Sequence, residues 1–336
     1  MAVMDTTSAS TGKAVRSSGA MQKLLAFGGL IVLFIIFSLL SPAFRTFENM
    51  QGIVLATAVN GVLALGVTFV IISGGIDLSI GTVMTLSAVV VGLVAGDDKA
   101  GFPIYLGVLV GLLTGGFAGA INGTIISRMN VPPFIATLGM MMIARGLSLV
   151  LAEVKPIYFN NLPGFRDIMM GSVLGAVVPG MQVPNAVFIL FGAALVAAFI
   201  LAKTVLGRYD VAIGSNEEAT RLSGVNVASW KTAIYALCGL FAGLGGVMIA
   251  SRLNSAQPAL GVGYELDAIA AVVIGGTSLS GGEGTILGTI IGAFIISTLT
   301  NGLRILNVPQ EWQMVVTGVI VILAVYMDII RRRRQG

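Results

Sequence analysis

Residues 53–72 read Ile53-Val-Leu-Ala-Thr-Ala-Val-Asn60-Gly-Val-Leu-Ala-Leu-Gly-Val-Thr68-Phe-Val-Ile-Ile72, and the chain then passes through Ser73-Gly-Gly-Ile-Asp77-Leu-Ser-Ile-Gly81. An uncharged helix of ~20 residues covers the roughly 30 Å of hydrocarbon in a bilayer. Comparable apolar runs lie near 24–41, 82–96, 104–127, 132–152, 185–205, 231–251, 265–280, 285–303 and 312–330, the runs at 82–96 and 265–280 being short and bounded by glycine. The whole chain has the same character. Its 336 residues are 56% hydrophobic and 10% charged, with a mean hydropathy of +0.97, where a soluble domain carries about 25% charged residues. That charge is too low for a soluble domain, a coiled coil or a disordered chain. The 45 glycines follow no three-residue period, which excludes collagen. The expected fold is an all-α polytopic membrane protein of about ten transmembrane helices. One lipid-embedded bundle occupies 23–330, between a disordered cytoplasmic tail at 1–22 and a basic tail at 331–336. The first apolar run is too long for a signal-peptide core and lacks a small-residue cleavage site, so it is expected to remain as an anchor.

With no histidine and a single cysteine, the chain cannot form an internal disulfide, a Cys/His metal site or a Ser-His-Asp triad. Cys238, inside an apolar run, reads as a small hydrophobe. No catalytic dyad or metal site is visible, so an enzyme is not expected. No GxxxxGK[ST] phosphate loop occurs either: Gly12-Lys13 is followed by Ala14 and lacks the upstream glycine. The net charge of +4 comes without aromatic residues interleaved among the basic ones, so nucleic acid is not an expected partner.

Lysine and arginine placement sets the orientation. With the N-terminus in the cytoplasm, the inside segments carry Lys13, Arg16, Lys23, Arg128, Lys203, Arg208, Arg221, Lys231 and Arg331 to Arg334, twelve in all. The outside segments carry six: Arg45, Lys99, Lys155, Arg166, Arg252 and Arg304. Both termini are therefore expected in the cytoplasm, with the arginine tail against lipid headgroups. Arg145 falls inside a span, and the sequence does not name its partner.

The motif GGxxLS occurs at Gly74-Gly75-Ile76-Asp77-Leu78-Ser79 and, 201 residues later, at Gly275-Gly276-Thr277-Ser278-Leu279-Ser280. A second echo pairs Asn122-Gly123 and Asn130-Val131-Pro132 with Asn301-Gly302 and Asn307-Val308-Pro309. From GG to NVP is 56 residues in the first half and 32 in the second, a difference of about one span. A weak internal repeat of two halves is expected, and such halves with glycine-broken helices frame the path of many transporters. Each GGxxLS is either a tight turn in close helix packing or a helix break whose freed backbone lines water. Asp77, between two apolar runs, either caps a helix starting about Leu78 or faces solute. Asn60, Thr68, Asn122, Thr137 and Asn301 are polar groups able to meet a hydroxyl-rich solute or a neighbouring helix, and Phe134 is able to stack on a sugar ring or pack. No span carries several spaced acids, which weakens an ion-coupled mechanism.

Residues 206–230 form the longest and most charged inside loop. Ser215 with Glu218 reads as a capping box, Glu217 suits the first turn, and Gly224 supplies the C-terminal stop of a short helix near 216–223. Two turns are marginal alone, so this helix is expected to dock on a soluble partner or on the protein's own helix ends. Ala219 and Leu222 offer the apolar contact, with Glu217, Glu218 and Arg221 at its rim.

Four stretches carry a resemblance: Ser73–Gly81, Val131-Pro-Pro-Phe134-Ile-Ala-Thr137-Leu-Gly139, the loop Ala212-Ile-Gly214-Ser-Asn216 with Ser223-Gly224, and Gly275-Gly276-Thr277-Ser278 with Gly281-Gly282. Over about residues 22–330 the chain resembles the permease subunits of ABC-type sugar importers of the ribose/xylose/galactose class. The resemblance implies a coupling helix gripped by a cytosolic ATPase, carried here by Gly214, Ser215, Asn216, Glu217, Glu218, Ala219, Arg221, Leu222 and Gly224. It also implies two permease copies around a central path, a periplasmic sugar-binding protein above, and no cofactor on this chain, ATP being bound by the partner. The rival reading is a stand-alone secondary carrier or channel.

Overall fold

The computed structural model describes residues 8–178 and 182–333. Among these the chain forms α1 (Ser8–Leu40), α2 (Phe47–Ile72), α3 (Ile80–Ala95), α4 (Ile104–Arg128), α5 (Pro133–Leu151), α6 (Asp167–Met170), α7 (Val173–Val177), α8 (Asn185–Lys203), α9 (Val205–Ser215), α10 (Glu217–Leu222), α11 (Val227–Leu253), α12 (Tyr264–Ile274), α13 (Ile286–Ile305) and α14 (Gln310–Arg333). Its one sheet among the described residues is a two-residue antiparallel pair, Ile157–Tyr158 with Ser255–Ala256, which ties the segment after α5 to the segment after α11. Among the described residues six helices are long and apolar enough to cross a membrane: α2, α4, α5, α8, α11 and α13.

α2 is the central post. Every residue from Ala58 to Ile72 is buried, polar Asn60 and Thr68 included. A helix apolar on all sides belongs inside a bundle, and α11, α13, α12 and α8 surround this one. The most extensive pairing joins α4 and α11, and small residues explain it. Glycines recur on α4 at every fourth position, Gly107, Gly111, Gly115, Gly119 and Gly123, forming one face of the helix. A Cβ at Gly119 would strike the Tyr235 carbonyl oxygen, and one at Gly239 of α11 would strike the Gly115 carbonyl oxygen. Backbones this close gain dispersion contacts that any side chain would forbid.

Both GG pairs stop a helix the same way. Gly74 has φ +77°, with Gly74 N–H donating to Ile71 O and Gly75 N–H to Val70 O, each at 2.9 Å. Gly276 has φ +93°, with Gly276 N–H donating to Val273 O (2.9 Å) and Thr277 N–H to Val272 O (3.1 Å). Each is a Schellman stop, whose left-handed residue favours glycine. The left-handed glycine is the first of the pair in one copy and the second in the other. The NVP turns also match: Asn130 (φ +55°) follows α4 and Asn307 (φ +57°) follows α13, each just before a proline-led helix start. Two helices, α3 and α4, separate GG from NVP in the first case, and one, α13, in the second.

The structure departs from the sequence reading in four places. α1 starts at Ser8, within the 1–22 segment expected to be disordered, because Ser and Ala tolerate a helix that continues directly from an apolar run; the end of the basic tail at 331–336 lies outside the described residues. The first part of the 206–230 loop is a helix, α9. The cap of α10 is Asn216, whose Oδ1 accepts from Ala219 N–H at 2.9 Å. Ser215 instead ends α9 and returns its hydroxyl to Val211 O. α3 starts at Ile80, later than expected, so Asp77 does not cap it.

Candidate functional site

Chemistry-bearing residues gather in two places. The first is the loop Ser73–Ser79. Asp77 is 2% exposed, and its Oδ1 accepts from both Ser79 N–H (2.8 Å) and Ser79 Oγ (2.6 Å). Asn122 Nδ2 of α4 donates to Ser79 Oγ at 2.9 Å, the Cys238 thiol of α11 approaches Asp77 Oδ2 at 3.7 Å, and Tyr235 Oη donates to Ile76 O at 3.2 Å. A carboxylate buried this way is held by several donors, and here they pin an extended segment between α4 and α11. The sequence placed Asp77 and Asn122 in one group, and the structure brings them together through Ser79. Cys238 and Tyr235 were missed as members, since an apolar run around a lone cysteine gives no sign of a carboxylate across the fold.

The other candidates of that group stand apart. Asn60 lies buried on α2, and Thr137 returns its hydroxyl to Pro133 O at 2.8 Å within α5. Phe134 is 54% exposed at the start of α5. Asn301, half-buried on α13, has an Oδ1 without a partner among the described residues.

The second place is the end of the bundle at α9 and α10. Gly214 sits where three backbones meet: a Cβ there would strike Ile72 O at the end of α2 and lie 2.5 Å from the Gly282 nitrogen. Gly282 N–H donates to Ile72 O at 2.8 Å. A Cβ at Gly281 would fall 3.0 Å from the Gly74 nitrogen. The end of α2 and the loop that follows α12, at Gly281 and Gly282, therefore meet the last turn of α9. From this vertex α10 projects outward. Its Thr220 is buried and its Leu222 is 81% exposed. Glu217 pairs with Arg221 (3.1 Å) and with Lys231 of α11, and Glu218 pairs with Arg221 (3.3 Å). Gly224 closes the turn at φ +85°. Leu222 is thus an exposed leucine on a six-residue helix, beside the charged Glu217, Glu218 and Arg221.

One residue here had no sequence signal. Asp210 of α9 is fully buried on the face shared with Gly207 and Ile213, and neither carboxylate oxygen has a partner among the described residues. Burial pushes its carboxyl well above the ordinary carboxylate range.

Over residues 49–325 the chain matches the family described as branched-chain amino acid transport system / permease component. It is 45% identical to the ribose import permease protein of Bacillus subtilis, covering 94% of this chain and 95% of the relative. It is 35% identical to the L-arabinose ABC transporter permease protein of Azospirillum brasilense (95% and 92% covered) and 34% identical to the xylose transport system permease protein of Escherichia coli (94% and 93%). No solved structure matches the chain. With six apolar helices of crossing length and relatives that are sugar permeases over almost their whole length, the chain is a multi-pass membrane protein of the branched-chain amino acid transport system / permease component family.

Proposed function

We propose that this chain is the membrane-spanning permease subunit of a binding-protein-dependent ABC importer, carrying a pentose, ribose foremost, across the inner membrane on ATP hydrolysed by a separate subunit. The observation that supports it most directly is the vertex at Gly214. A surface able to dock an ATPase, α10, is joined through Gly214 to the end of α2 and to Gly281 and Gly282 in the loop that follows the second GG stop. A push on α10 is thereby transmitted to both broken segments at once. Ribose is the sugar named for the relative at 45% identity.

In this reading ten helices are the spans: α1 to α5, α8 and α11 to α14. An even number leaves both termini on one side, and the lysine and arginine bias supports the cytoplasm as that side. α12 has eleven residues, about 16 Å of helix, so the segments flanking it complete its crossing. The matched helix stops at GG and NVP support a duplicated ancestor in which the first half holds one helix more. Two copies flank a central path, a periplasmic binding protein delivers sugar, and the chain itself binds no cofactor. Asn60, Phe134 and Asn301 serve the path directly. Asp77, Asn122 and Thr137 serve it by holding its walls.

The test is co-purification in mild detergent. Wild type is expected to bring an ABC ATPase with it, and Glu218→Lys or Leu222→Asp to lose it while staying folded in the membrane. A well-folded wild type that never brings an ATPase, yet takes up ribose on an ion gradient, would establish the secondary carrier instead.

A further inference from the structure

Arg145 is left unexplained by everything above. It is the thirteenth of nineteen residues of α5, its side chain is exposed, and it enters no ion pair or hydrogen bond among the described residues. α5 contains no acidic residue. At 1.5 Å per residue Arg145 lies about 18 Å along the helix from Pro133 and about 9 Å from Leu151, well inside the span. An unpaired guanidinium at such a depth is expelled from lipid tails and needs water or a counter-charge.

Its neighbours on the helix define what it faces. Ala136, Thr137, Met140, Ala144 and Ser148 are the buried face of α5, packed chiefly on α3. Phe134, Leu138, Met141 and Arg145 follow at spacings of four, three and four, one stripe on the flank of that face, and all four are exposed or half-exposed. The stripe thus joins Phe134, a candidate for contact with sugar, to a fixed positive charge three turns away. Lipid does not suit it. Direct contact with the same stripe of a second copy does not suit it either, because two-fold symmetry would set arginine against arginine. Water between the two copies satisfies both constraints.

We infer that Arg145 lines the central path as an electrostatic filter, the two copies contributing a positive ring that turns back cations and protons while a neutral, hydroxyl-rich solute passes. The inference rests on the permease reading and its two-copy path. A sugar has no net charge, so the ring sets no Coulomb barrier against it, and a guanidinium offers five N–H donors to its hydroxyls.

The test uses the permease with its ATPase in liposomes, radiolabelled ribose as cargo and a trapped potassium dye to read leak during ATP turnover. Arg145→Gln is expected to raise potassium leaked per ribose taken up by roughly tenfold or more, and Arg145→Lys to keep it near wild type. Arg145→Cys is read on the folded protein with membrane-impermeant thiol reagents, Cys238 being fully buried as an internal control. A cationic reagent should close the leak of that variant and an anionic one should widen it. An introduced thiol that no aqueous reagent reaches overturns the inference, as does an Arg145→Gln leak equal to wild type. Failure of the permease reading shows differently, as a wild-type complex with no ATP-driven ribose uptake, and the thiol still reports whether Arg145 faces water.

Discussion

Two aspartates are buried among the described residues, and they are treated in opposite ways. Asp77, in the broken segment between α2 and α3, receives two hydrogen bonds from Ser79 and a thiol contact from Cys238. Asp210, on the inner face of α9, receives none. The first is a fastener, converting a stretch without helical hydrogen bonds into a fixed wall. The second is an unsatisfied group in the lever that leads to Gly214. Burial by itself therefore predicts neither the role of a carboxylate nor the sign of its effect on stability; the donors within reach decide both.

The largest expected effect comes from removing the fastener. Asp77→Ala leaves Ser79 N–H, Ser79 Oγ and the Cys238 thiol without their acceptor, and strands Asn122, whose Oδ1 already lacks a partner. A cost of about 3 kcal/mol follows from losing charge-assisted bonds in a buried site, read as a lowered unfolding midpoint in detergent. A midpoint within a degree of wild type would mean that Asp77 fastens nothing and would break the comparison at its first term.

Asp210→Asn should act in the opposite direction, by about 1–2 kcal/mol at neutral pH. No cation answers this carboxylate: Lys203 at the end of α8 and Arg208 on α9 are exposed, and on α11 Lys231 is engaged by Glu217. On α10 Glu217 and Glu218 are spoken for by Arg221, while Tyr235 and Cys238 of α11 add no positive charge. Because burial raises the folded pKa above the unfolded value near 4, the native state binds the extra proton between those two values. Wild-type stability then falls as pH rises through that window, and the asparagine variant lacks this fall. Unfolding midpoints of the two proteins should coincide near pH 4 and separate upward, asparagine ahead. A difference independent of pH would place the effect in packing rather than in charge.

What the sequence made legible follows the same division. Ten apolar runs were read from hydropathy; among the described residues six of the helices that meet them are long and apolar enough to cross a membrane, and the run at 265–280 outlasts α12, which stops at Ile274. The GG and NVP turns were legible because glycine, asparagine and proline act on the backbone locally. α9 was not, since its inner face is Gly207, Asp210 and Ile213, a stripe without an apolar period. Placing the cap at Ser215 rather than Asn216 was an error of one residue in a run where both side chains are competent caps. The Asp77–Cys238 contact bridges 161 positions, and nothing local encodes it. The Gly214 vertex is a meeting of backbones, which leaves glycines as its only trace.

The smallest effect tests the charge of the fastener against its geometry. Ser278 stands in the second GGxxLS where Asp77 stands in the first, is 2% exposed, and its Oγ accepts from Ser280 N–H at 3.1 Å, the same two-residue reach. It has no thiol or asparagine counterpart among its hydrogen bonds, and its own N–H donates to Glu283 O. Ser278→Ala removes one neutral hydrogen bond and should cost about 1 kcal/mol, a third of the Asp77 effect. Ser278→Asp asks the sharper question. With a carboxylate in the first copy's position and the Ser280 N–H still in reach, but with no counterpart of Asn122 or Cys238, the second junction should move toward the behaviour of α9 around Asp210, losing stability as pH rises through the range in which the new group ionises. If Ser278→Asp is instead tolerated at all pH values, the local turn is enough to hold a buried charge, and the network through Asn122 and Cys238 is not what distinguishes Asp77 from Asp210.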